Sequence, residues 1–90
     1  KLRYLQIVAE EGNLTKAAKR LYISQPALTA CINKLEKKYG VKFFERESKP
    51  IHLTYAGERF LAMGQQILNL QDRLKEEMEE IHRNDVEDSG

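Results

Sequence analysis

Within the stretch SQPALTACIN, residues Ser24, Gln25, Pro26, Thr29, Ala30 and Asn33 are all uncharged. Glutamine and asparagine amides hold a donor and an acceptor side by side, the pattern that matches the major-groove edge of adenine, and small apolar groups pack against thymine methyls. Cations surround this neutral set: Lys16, Lys19 and Arg20 before it, Lys34 and Lys37 within the same segment, and Lys49 after it. Such side chains hold phosphates. Catalysis is a poor alternative. Cys31 is the single cysteine, His52 and His82 are the two histidines, and there is no nucleophile–base pair, metal-ligand spacing or phosphate-cradling glycine loop. The chemistry on offer is recognition.

Each of these residues also has a plainer reading. Gln25 and Thr29 could be ordinary exposed helix residues, Pro26 a helix starter, and Lys49 a charge that keeps a β-edge soluble. Cys31 borders an apolar stripe, where a small core filler is the better reading than a redox sensor.

The elements that must position these residues follow from periodicity. Leu2, Leu5, Val8 and Ala9 recur at helical spacing, and Gly12 is suited to cap that helix. Asn13 or Thr15 can cap a second, short helix with Ala17, Ala18 and Leu21 on one stripe. Tyr22 and Ile23 break the pattern in a tight turn. Ser24 is a good N-cap for a third helix, and Pro26 falls in its first turn, where a missing N–H costs nothing. Leu28, Ile32, Leu35 and Tyr39 are expected to form its buried face, with Gly40 ending it. Two short β-like runs follow, around Phe43–Glu45 and Ile51–Leu53, joined by the polar turn ESKP.

Thr54 then caps a long helix. Phe60, Met63, Ile67, Leu70, Leu74, Met78 and Ile81 step along it in a near-heptad seam, with a phase slip before Met78. Gly64 inside that helix costs roughly 1 kcal/mol relative to alanine. RNDVEDSG lacks a pattern. The outline is mainly α: a winged helix-turn-helix (three-helix bundle plus short β-hairpin wing) over 1–54, with the helix-turn-helix at about 14–33 and the wing at about 43–53. A linker and dimerisation helix at 55–82 and a flexible connection at 83–90 complete the expected organisation.

Ninety residues fit one small domain, and 32% charged with 41% hydrophobic residues is ordinary for a soluble chain. No apolar run approaches the roughly 20 residues of a membrane span. No leader is visible, so the glycosylation-like Asn13–Leu14–Thr15 is attributed to chance and a cytoplasmic location is expected. The net charge of +1 hides an asymmetry: residues 1–59 hold 12 Lys+Arg against 6 Asp+Glu, and residues 60–90 hold 3 against 8. The basic front is where an anionic partner would dock, although both halves could simply be solvated faces.

The wording is more specific than the outline. "T-x-AA-x-RL", "SQPALT", "I-x-KLE", "G-V-x-FFER" and "LT-x-AG", spread over Asn13 to Gly57, together resemble the N-terminal domain of LysR-type transcriptional regulators. The resemblance covers essentially the whole chain. It implies binding of a double-stranded DNA operator as a homodimer through the long helix, with tetramers in the full-length protein. It also implies an effector-binding domain beyond this chain that takes a small-molecule inducer, no cofactor in this chain, and at least one residue ahead of Lys1.

Carried over by position, Gln25 and Pro26 match the base-reading start of the recognition helix, residues 24–39. Thr29 matches a usual serine, Lys49 the wing tip at the minor groove, and Thr54 a helix cap near phosphate. Arg46 matches a motif letter only; an ion pair with Glu36 or Glu45 competes with a DNA contact. The expected DNA-binding set is Thr15, Lys16, Ser24, Gln25, Pro26, Thr29, Ala30, Asn33, Lys34, Lys49, Pro50 and Thr54. The expected dimerisation set is Phe60, Met63, Ile67, Leu70, Leu74 and Met78. The family usually carries a basic residue where this chain has Ala30, which removes a bidentate guanine reader worth about 1–3 kcal/mol of discrimination. The rival reading is a helical protein-interaction module that uses the 55–82 helix.

Overall fold

The structure, a computed structural model, describes residues 2–89, with side chains through Val86. Helix α1 (Leu2–Glu11) turns Leu5, Ile7 and Val8 inward and ends at Gly12, whose φ of +65° is a left-handed cap. That glycine is also required by space. A Cβ on it would lie 2.7 Å from Cβ of Pro50, and its carbonyl accepts the Ile51 N–H at 2.9 Å. The turn after α1 is thus the platform on which the base of the wing rests.

Helix α2 (Leu14–Arg20) is capped by Asn13, whose side chain accepts from the Lys16 N–H at 2.9 Å; of the two candidates, asparagine is the cap. Ala17 and Ala18 are buried and let α1 and α3 each pack closely on α2. Tyr22, at φ 58°, makes the turn into α3 (Gln25–Tyr39). Ser24 caps α3 by accepting from Ala27 N–H at 3.2 Å, and Gly40 closes it at φ 69°.

The inner face of α3 differs from the expected one. Leu28, Ile32 and Glu36 are buried, Leu35 is half-buried, and Tyr39 is 53% exposed. The four-residue step from Leu28 through Ile32 carries a carboxylate into the core. It is tolerated there because partners await it: Oε2 accepts from Phe43 N–H at 2.7 Å and Oε1 from Arg46 at 2.9 Å. The Tyr39 ring instead leans over Phe43 and Phe60, with centroids 6.5 and 5.3 Å away.

Strands β1 (Phe44–Glu45) and β2 (His52–Leu53) pair antiparallel, Phe44 opposite Leu53 and Glu45 opposite His52. Phe43, Phe44 and Ile51 enter the core from this hairpin. Ser48 organises the turn between the strands by donating to the Glu45 carbonyl at 3.0 Å. Helix α4 (Tyr55–Ser89) begins at Thr54, whose hydroxyl accepts from Gly57 N–H at 3.0 Å and donates to the Lys42 carbonyl at 2.6 Å. Gly57 is buried, and the position has no room for a side chain, since a Cβ there would collide with the Phe43 carbonyl oxygen.

Gly64, the expected weak point of α4, is where α1 packs: a Cβ there would lie 2.7 Å from Leu2 Cδ2. The connection expected at 83–90 is also different. The helix continues through Ser89, and Gly90 lies outside the described residues. Residues 83–89 lack an apolar stripe, but they also lack any glycine or proline to stop a helix already under way.

Candidate nucleic-acid interface

Two helix N-termini meet at the exposed end of the helix-turn-helix. Thr15 is the second residue of α2 and Gln25 the first of α3. The Thr15 hydroxyl donates to Gln25 Oε1 at 2.7 Å, and both side chains are solvent-exposed. Pro26, Ala30, Asn33 and Lys34 continue along the open side of α3, all exposed. Thr29 is half-buried, on the flank beside Leu28, rather than at the crest of the face. The Ser24 hydroxyl is exposed but serves as the helix cap. The surface presented is a ridge of neutral residues with Lys34 beside it, on a helix whose N-terminal amides carry a partial positive charge.

The cations sort into free and tied ones. Lys16, Lys34 and Lys49 are exposed and make no ion pair among the described residues. Arg20, expected to join Lys16 and Lys19 at phosphates, is turned back onto α1, with Nη1 at 3.1 Å from Glu10 and 3.2 Å from Glu11. The hydrogen bond to Glu10 leads in raising its pKa, with Glu11 and the charges of both carboxylates adding to it. Arg20 is therefore a structural clasp between α1 and α2.

Arg46 resolves the same way: its partner is Glu36, and its guanidinium is held against α3. Pro50 is exposed, yet its Cβ sits against Gly12, so it braces the wing. Thr54 is half-buried, with its hydroxyl used twice inside the chain. Two roles went unread in the sequence: the burial of Glu36, named there only as one of two possible partners for Arg46, and the contact that Thr15, expected at DNA, makes on Gln25. The Leu28–Ile32–Glu36 spacing was the available signal for Glu36. For the orienting contact of Thr15 on Gln25 no local pattern exists, because it joins residues on two helices.

Along α4, Met63, Ile67, Leu70, Leu74 and Met78 are each 50–62% exposed, an apolar seam left uncovered by this chain. Phe60 does not belong with them. It is half-buried, its ring 4.6 Å from that of Phe43, and it anchors α4 to the core.

Residues 1–58 match the bacterial regulatory helix-turn-helix proteins of the lysR family, and the chain belongs to that family. The HTH-type transcriptional regulator ClcR of Pseudomonas putida is 48% identical over 69 residues, covering 77% of this chain and 24% of that protein. The chain thus spans about a quarter of the length of the curated relatives it matches. Among solved structures, the CbnR DNA-binding domain in complex with DNA is similar at 44% identity and a TM-score of 0.70, over 83% of this chain and 86% of that one. The BenM DNA-binding domain bound to catB site 1 DNA aligns at 38% identity and a TM-score of 0.70, over 81% of this chain and 78% of that one. The winged helix-turn-helix with a long C-terminal helix is the architecture of LysR-type DNA-binding domains. The relatives are transcriptional regulators, not enzymes. Among the described residues, no helix is long and apolar enough to cross a membrane.

Proposed function

We propose that this chain binds double-stranded DNA sequence-specifically as the operator-recognition domain of a bacterial LysR-type transcriptional regulator. The exposed neutral ridge of Gln25, Pro26, Ala30 and Asn33 at the start of α3 carries this reading, because a recognition helix reads base edges with its N-terminal residues. Lys16, Lys34 and Lys49 supply phosphate contacts around it. The α4 seam joins two copies, so two half-sites about one helical turn apart, or a multiple, are needed. DNA access places the protein in the cytoplasm. A small-molecule inducer acts through an effector domain that is not part of this chain.

A protein-interaction module would use the same seam, but it gives no role to the free lysines around a neutral helix end. Titrating a labelled duplex across a salt series separates the two. Binding should weaken with a log–log slope of about −0.9 per phosphate neutralised. No binding to any duplex at low salt would overturn the reading.

A further inference from the structure

We infer that Thr15 is a positioning residue that sets which base Gln25 prefers. This rests on the proposal that α3 reads DNA. The hydroxyl of Thr15 donates to Gln25 Oε1 at 2.7 Å, whereas the Gln25 amide nitrogen has no protein partner among the described residues. Both backbone positions are fixed independently, Thr15 by the Asn13 cap of α2 and Gln25 by the Ser24 cap of α3. The contact therefore joins two preset helix ends. An exposed neutral hydrogen bond adds little to stability, since water replaces either partner at small cost. Its consequence is orientation: the carboxamide is anchored through its oxygen, and its NH2 is the free end.

That orientation changes the expected readout. By residue type alone, glutamine favours adenine, because Nε2–H donates to N7 while Oε1 accepts from the N6 amine. An amide held by Thr15 through Oε1 offers donors to the groove. Donors match guanine, with its O6 and N7 acceptors, or thymine, with its O4. Gln25 in this chain is thus a guanine or thymine reader, and Thr15 makes it so without touching a base.

The test begins with selection from duplexes carrying a randomised tract, using the 90-residue chain. The enriched sequence and its single-base variants are then titrated against wild type, Thr15→Val, Thr15→Ala, Thr15→Ser, Gln25→Ala and the Thr15→Val/Gln25→Ala double variant. The position read by Gln25 is the one whose preference collapses in Gln25→Ala. There, wild type and Thr15→Ser should favour guanine or thymine. Thr15→Val and Thr15→Ala should move toward adenine by about three- to tenfold, with other positions unchanged. In the Gln25→Ala background, Thr15→Val should change affinity by less than about twofold, because contacts that act through one residue are not additive. An equal loss at every position, or the same loss with and without Gln25, would make Thr15 an independent phosphate contact and overturn the inference. So would adenine preference in wild type, or a Gln25→Ala variant that alters no position. Failure of wild type to enrich any sequence would instead remove the DNA-reading proposal itself, and this inference with it.

Discussion

Arg46 reaches from the wing to Glu36 in α3, with 2.9 Å between Nη2 and Oε1, and the second oxygen of the same carboxylate takes the Phe43 N–H at 2.7 Å. One buried side chain thereby joins the recognition helix to the start of the wing. Removing it leaves a guanidinium and a buried amide without partners. Breaking a fully buried pair costs about 3–5 kcal/mol. The Arg46 side chain is 31% exposed, so water recovers part of that loss. Glu36→Ala should lower unfolding free energy by about 2–3 kcal/mol in urea titrations, and Glu36→Gln, which keeps an acceptor for Phe43, by less. Equal stability of Glu36→Ala and wild type would refute the joint.

Two glycines in α4 are predicted to respond differently to the same change. In Gly57→Ala the new methyl collides with the Phe43 carbonyl, which is itself bonded to Thr54 N–H at 2.9 Å and has nowhere to go. We expect a loss of at least about 2 kcal/mol, in the range of overpacking a tight core. In Gly64→Ala the neighbour is the end of a flexible leucine, Leu2. The helix-propensity gain of about 1 kcal/mol then offsets the rearrangement, and stability should change little. Thermal melts that rank Gly64→Ala below Gly57→Ala would contradict this account.

Tyr22 carries the only positive φ outside glycine among the described residues, at 58°, and its side chain is 95% exposed. The ring gives little packing in return for the strained backbone. Asparagine tolerates this left-handed region better. Tyr22→Asn should raise stability by about 0.5–1 kcal/mol, seen as a higher denaturation midpoint at unchanged slope. A lower midpoint would mean that the ring does more than the structure accounts for.

The caps at Ser24 and Gly40, the proline in the first turn of α3 and the hairpin positions were legible in the sequence, because each depends on local backbone chemistry. The seam residues from Met63 to Met78 were legible from spacing. What escaped depends on partners distant in sequence. Glu36 stood beside Glu45 as one of two possible partners for Arg46 until the fold buried it and closed the pair, Arg20 looked like a phosphate ligand until α1 supplied two carboxylates, and Phe60 like a seam residue until Phe43 came within 4.6 Å. The extension of α4 to Ser89 escaped for another reason: an absent apolar pattern was read as an absent helix.

Ala30 is exposed on the open side of α3, and its methyl offers neither a charge nor a hydrogen bond. It can pack on a thymine methyl but cannot read guanine. Ala30→Arg should create a guanine preference of about 1–3 kcal/mol at one base step of the selected site, with nonspecific binding also rising through the added charge. Selection from random duplexes would show it. Guanine already enriched at that step by wild type, and unaffected by Ala30→Arg, would mean that another residue reads it.

Ile67 and Leu70 in the α4 seam are 58% and 62% exposed, and two copies packed along this face would hide them from water. Burying a large aliphatic side chain contributes about 1.5–3 kcal/mol, so introducing a glutamate at each site removes that term and adds charge repulsion within the seam. Ile67→Glu/Leu70→Glu should shift the chain to monomer in sedimentation at micromolar concentration while its helical content stays the same. Because neither residue lies on the α3 face, affinity for a single half-site should be unaltered, and affinity for two phased half-sites should fall by at least about tenfold. An unchanged monomer–dimer balance would place the association surface elsewhere on the molecule.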